Sequence, residues 1–215
     1  MEQDFKKRKD IGVGMMCKKE KSAKRIEGIL FTLCLFFVFL CGCNKQEVQN
    51  TTLAISKNGK ITQTVVEEFP TGEYDLEELK KMNETEVSQY NTSVGKEAVR
   101  VEGTELKENK IVLRMEYADA NAYFDMNGNV FFYGTIQQAK QAGYTLEETL
   151  STQDGQEQIA PQDWSSMDER HIVIVSEPVA IKTYANILYY SSGVTIQDKK
   201  LATVAEDTTA YIVFK

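Results

Sequence analysis

The residues Lys57-Asn58-Gly59-Lys60 form a polar break between two β-rich runs, 51–56 and 61–69. Asn and Gly both accept positive φ, and this pair between strand-forming segments is the strongest short-range signal for a hairpin. Two antiparallel strands are predicted here. A second hairpin is predicted from residues 99–106 and 111–117, which flank Glu108-Asn109. In its return strand Ile111, Leu113, Met115 and Tyr117 alternate with Val112, Arg114 and Glu116, so the first set should face a core.

Helical signals lie between and after these hairpins. Pro70-Thr71-Gly72 breaks the first strand pair, and Asp75 followed by Glu78 has the form of a capping box. Leu76, Leu79, Met82 or Asn83, Val87 and Tyr90 recur at three and four residues, which sets one apolar stripe on a helix that Gly95 ends. A short helical turn is predicted within 118–124, then a strand at 130–133. Thr135 with Gln138 is a second capping box, and Gly143 is placed to terminate a two-turn helix.

Residues 147–170 are polar, rich in Gln, Asp and Ser, with Trp164 as their one large anchor. Such a length is unusual for an internal loop and marks a candidate domain junction. Beyond it, Ile172, Val173, Ile174 and Val175 lack alternation, as a strand covered on both faces should. Residues 179–190 are β-rich, Gly193 turns the chain, and strands are expected at 194–197, 201–204 and 211–214. The fold class is therefore α+β, a mainly antiparallel sheet of hairpins with one longer and one shorter helix. The expected division is an α+β domain at 51–146, a junction at 147–170 and a β-rich C-terminal lobe at 171–215, with one compact unit as the alternative.

The amino-terminal region reads differently. Lys18, Lys19, Lys21, Lys24 and Arg25 precede an apolar run from residue 29 to 40, interrupted only by Thr32. Twelve residues at 1.5 Å each span about 18 Å, short of the roughly 30 Å hydrocarbon layer, which favours a signal segment over a stable span. The run ends in Leu40-Cys41-Gly42-Cys43, which resembles the lipobox of bacterial lipoprotein signal peptides. The resemblance implies that 1–42 is a signal peptide and that Cys43 carries a diacylglyceryl, palmitate-bearing lipid. Residues 43–50 would then be the lipidated cysteine and a short tether. Cys43 rather than Cys41 fits because the residue before it, Gly42, is small. It further implies a lipid anchor at the outer face of the cytoplasmic membrane, and the remaining chain is similar to uncharacterised surface lipoproteins of Gram-positive bacteria.

Cleavage before Cys43 removes Cys17, Cys34 and Cys41, so no disulfide forms within the folded part and packing alone must stabilise it. Nine of the 25 basic and five of the 32 acidic residues lie before Cys43, leaving 16 against 27, a formal charge of −11. A surface of that sign repels phosphates, which argues against nucleic acid as a partner.

Candidate chemistry is sparse. His171 is the single histidine, and no Gly-x-Ser-x-Gly turn accompanies any serine, so a hydrolase with a histidine base is not indicated. Asp125, Asn127 and Asn129 open like a calcium loop, but Val130 and Ile136 stand where the turn glycine and the bidentate Glu belong. An Asn-Gly turn between Phe124 and Val130 explains them instead. No metal or other cofactor is implied. Glu67-Glu68, Glu77-Glu78 and Glu147-Glu148 are neighbours in sequence and point to different sides, so none is an acid and base pair by itself.

Aromatic residues gather at Tyr123, Phe124, Phe131, Phe132 and Tyr133, and again at Tyr184, Tyr189 and Tyr190. The last three are the candidate ligand-binding residues, since tyrosine offers area with one polar tip. The expected function is binding of a protein partner or an envelope component without catalysis; the alternative is a carboxylate-dependent hydrolase acting on an envelope glycan.

Overall fold

A computed structural model describes residues 51–70 and 75–215. The expected signal peptide at 1–42, Cys43 and the tether to residue 50 lie outside the described residues. The fold is α+β, with two mostly antiparallel sheets.

The first hairpin forms as expected, β1 (Thr52–Ile55) against β2 (Ile61–Glu68), with Ile55 opposite Ile61. Its loop is longer than a two-residue turn: only Gly59 takes positive φ (86°), and the Asn58 side chain instead accepts the Ser56 hydroxyl at 2.5 Å. The helix α1 (Leu76–Val94) starts where Asp75 accepts the amides of Glu77 and Glu78, and stops at Gly95 in the left-handed region. The second hairpin pairs β3 (Val99–Lys107) with β4 (Lys110–Tyr117) around Glu108, which adopts φ 55°. Ile111, Met115 and Tyr117 are buried, as the alternation predicts, and Leu113 is half-buried.

The helix α2 (Ala120–Asn127) runs further than the expected turn, and Gly128 is its left-handed cap. Asp125 and Asn127 thus lie on a helix rather than in an Asn-Gly turn. The strand β5 (Phe131–Thr135) leads straight into α3 (Ile136–Gln141), whose capping box has both limbs: Gln138 N–H to Thr135 Oγ1 and Thr135 N–H to Gln138 Oε1. After these come β6 (Leu150–Thr152), β7 (Gln158–Ile159), a 3-10 helix (Pro161–Met167) and β8 (His171–Val175). The chain ends with β9 (Ala180–Lys182), β10 (Ile187–Tyr190), β11 (Val194–Asp198), β12 (Leu201–Val204) and β13 (Ala210–Phe214).

One sheet has the order β11-β12-β9-β1-β2-β4-β3 and the other β5-β8-β13-β10-β6-β7. Strands from both sides of residues 147–170 enter both sheets: β1 pairs in parallel with β9, and β5 pairs with β8. The division into lobes at that segment is therefore corrected, and the described residues fall in one compact unit. The physical reason lies in hydrogen bonding, because β1 alone carries the parallel partner that β9 needs on that side.

The sheets share a core: Leu53, Ile61 and Tyr117 of one meet Val173, Ile212 and Phe214 of the other. The opposite face of the six-stranded sheet is covered too, by Ile136, Trp164 and Met167 against Leu150, Ile172, Ile174 and Val213. This explains the continuous apolar run in β8, whose residues 172–175 are all buried. The polar 147–170 segment is held by Trp164, 1% exposed, whose indole N–H donates to the Glu148 carbonyl at 3.0 Å and whose ring meets Tyr211 edge-on. Trp164→Ala should cost about 3–5 kcal/mol by cavity formation, read as a lower urea midpoint in circular dichroism; an unchanged midpoint would show that the segment is not part of the core.

Candidate functional site

A concavity of about 830 Å³ lies between α1 and the edge strand β3. The helix is only lightly packed: Val87 is its one buried residue, while Met82 is 43% exposed. Between Met82 and Asn83, the structure turns Asn83 inward, and among the described residues its buried amide nitrogen has no hydrogen-bond partner. An unpaired donor of this kind weakens packing at the middle of the helix.

One side chain fastens the helix to the strand. Asn91 accepts the amides of Ala98 (2.8 Å) and Val99 (3.0 Å) through Oδ1 and donates from Nδ2 to the Val99 carbonyl (2.7 Å). The backbone of Val99 therefore points away from β4 and into the groove. Beyond Asn91 the groove opens over Val87, Val99 and Val101, walled by Lys80, Glu84 and Ser88 on the helix and by Gly103 and Thr104 on the strand. A Cβ placed on Gly103 would meet nothing within 4 Å.

The charges around this groove are not equivalent. Lys80 pairs with Glu77 at 2.7 Å, and Arg100 pairs with Glu102 at 2.6 Å and Glu116 at 3.1 Å. Lys60 also reaches Glu116 at 2.6 Å and holds that carboxyl below its usual range. Lys96 lies 4.0 Å from Asp119. The acidic members of the lining, Glu84 and Glu97, form no ion pair among the described residues.

Tyr184, Tyr189 and Tyr190 do not converge on one site. Tyr189 packs on the Trp164 side of the six-stranded sheet, Tyr190 on the side facing the other sheet, because consecutive strand residues alternate. Tyr184, in the loop after β9, belongs to an aromatic cluster. Its hydroxyl meets His171 Nδ1 at 3.2 Å, its ring packs edge-on to Phe214, and Tyr133 stacks on His171 at 5.7 Å. Burial lowers the His171 pKa, and burial with the Tyr184 hydrogen bond raises that of Tyr133. Phe131 turns to Tyr123 and Phe132 to Tyr144, again on opposite faces, and Phe124 is 47% exposed.

Sequence reasoning missed Glu177, a carboxyl partly buried between β8 and β9. It accepts from the Tyr123 hydroxyl at 2.5 Å and the Asn129 amide at 3.0 Å. Burial raises its pKa, partly offset by these bonds. Burial also raises that of Tyr123, and that of Tyr117 to about 12, with Tyr117 donating to Gln63 at 2.6 Å and packed edge-on to Tyr123. The signal was unreadable because these partners lie 48 and 54 residues from Glu177. The paired glutamates at 67–68, 77–78 and 147–148 are all exposed. Among the described residues no three His, Cys, Asp or Glu gather as metal ligands.

Comparison with protein-family models, curated proteins and solved structures gives no match.

Because the folded state raises the Glu177 pKa, the stability associated with this carboxyl is full below the ordinary glutamate range and is lost as pH rises through the raised value. Glu177→Gln stays neutral, so its urea midpoint relative to the native chain should climb from pH 4 to pH 7. A difference independent of pH would contradict this assignment.

Proposed function

We propose that this chain is a lipid-anchored protein of the outer face of the cytoplasmic membrane, held through Cys43. In this reading it binds a protein partner or an envelope component and performs no chemistry of its own. Its placement rests on the likeness of Leu40-Cys41-Gly42-Cys43 to a lipobox. The observation that carries the binding role is the open groove between α1 and β3, floored by valines and bordered by backbone that faces outward. Concave surfaces with an apolar floor and a few placed polar groups are the usual form of a binding site.

A second reading, a hydrolase of an envelope glycan, is favoured by Glu177, since a carboxyl raised by burial suits a general acid. A depression of about 360 Å³ lined by Ser176, Pro178, Glu206 and Asp207 adjoins it in sequence. Both Glu177 oxygens are engaged by neutral donors, however, and this sets the reading second.

The two are separated in cells by a photo-crosslinking amino acid at Ser88 or Thr104 in the groove, with Thr195 on the remote edge strand as control. Adducts are expected at the groove positions, absent at Thr195 and lost when Gly103→Trp fills the open space. Equal adducts at all three positions, or none in the groove, would contradict the binding role.

A further inference from the structure

We propose that the groove takes an extended basic peptide segment of a protein partner as an added strand on β3; this rests on the groove being the binding site. The chemistry that would recognise such a segment is mostly main chain. Antiparallel pairing gives each residue of β3 one of two orientations: its N–H and C=O face β4, or they face away. Val99 faces away, as its bonds to Asn91 show. Two residues on, Val101 presents its N–H and C=O in the same direction, and no side chain of α1 is bonded there. The Asn91 amide thus occupies the first rung of an incoming strand, with one acceptor and one donor, and leaves the next rung open.

The occupant is a single extended peptide rather than another sheet. A bulge between Val101 and Gly103 interrupts the flat register of β3, and α1 stands along its free side. Both devices block edge-to-edge pairing of whole sheets. A lone strand fits between helix and edge, with alternate side chains over Val87, Val99 and Val101, a recognised mode of peptide binding.

Charge complementarity sets the sign. The groove's cations are already beside carboxylates of the chain itself, whereas among the described residues Glu84 makes no ion pair and Glu97 feels only the charge of Arg100, which Glu102 and Glu116 already hold. The chain from Cys43 onward carries a formal charge of −11, so its overall field also draws basic segments and repels acidic ones.

The test uses the full chain in mild detergent and acetyl-Lys-Val-Lys-Val-Lys-Val-amide as the probe. The amide signals of Val101, Gly103 and Thr104 should shift on titration. Replacing the lysines of the probe by glutamates, or the pair Glu84→Gln and Glu97→Gln in the protein, should weaken binding about tenfold. N-methylation of the three valines and of the three lysines removes donors from opposite edges of the peptide, so one set should abolish binding and the other spare most of it. Equal effects of the two sets, equal affinity for the glutamate peptide, or no binding at about 1 mM would overturn the proposal. If groove crosslinks persist in cells while the two methylated sets behave alike, strand addition is wrong and the groove stands as the binding site. If groove crosslinks are also missing, both readings fall.

Discussion

The parallel pairing of β1 with β9 is the constraint on which the rest of the structure depends. Thr52, Leu53 and Ala54 lie beside Ala180, Ile181 and Lys182, and the Ala180 amide donates to the Thr51 carbonyl at 3.0 Å. Among the described residues it is the one parallel pairing, and it joins segments more than a hundred residues apart. Leu53 and Ile181 are fully buried there. Because β8 immediately precedes β9, anchoring β9 to β1 also fixes where the chain crosses from the six-stranded to the seven-stranded sheet. Glu177 sits in that crossing and ties it to Tyr123 of α2 and to Asn129.

From this pairing follows the position of the groove. With β1 and β2 in the middle of the seven-stranded sheet, the second hairpin extends it outward and leaves β3 as an edge. An unguarded edge of nine residues invites aggregation, and the bulge, the charged residues Arg100, Glu102 and Glu105, and α1 alongside are ways of guarding it. The guard is incomplete beyond Asn91, where the helix is tied at its C-terminal end and lightly packed toward its middle around Asn83. The same incompleteness that is costly for folding leaves room for a partner.

Local order was largely legible in the chain. Asn58-Gly59, Glu108-Asn109, the Asp75 cap and the Thr135 capping box act through residues at most four apart, and each appears where local chemistry places it. The covered strand at 172–175 was legible as well, since burial on both faces removes alternation. What could not be read were pairings over long separations. The composition of 147–170 suggested a junction, but Trp164 and the short strands β6 and β7 build it into a sheet. Tyr189 and Tyr190 looked like one aromatic patch, yet the period of two in β10 sends them to opposite faces. The groove left no signature beyond an amphipathic helix and a strand, because its defining contact, Asn91 with Val99, depends on how the helix lies along the edge.

The central claim is that residues on both sides of 147–170 form one cooperative unit through β1 and β9. Native-state hydrogen exchange measures this directly, as the opening free energy of each amide. The account predicts that the slowest amides of β1, β9 and β13 exchange with one common free energy and respond alike to denaturant. Two separate free energies, one for strands before residue 147 and another for those after 170, would contradict it.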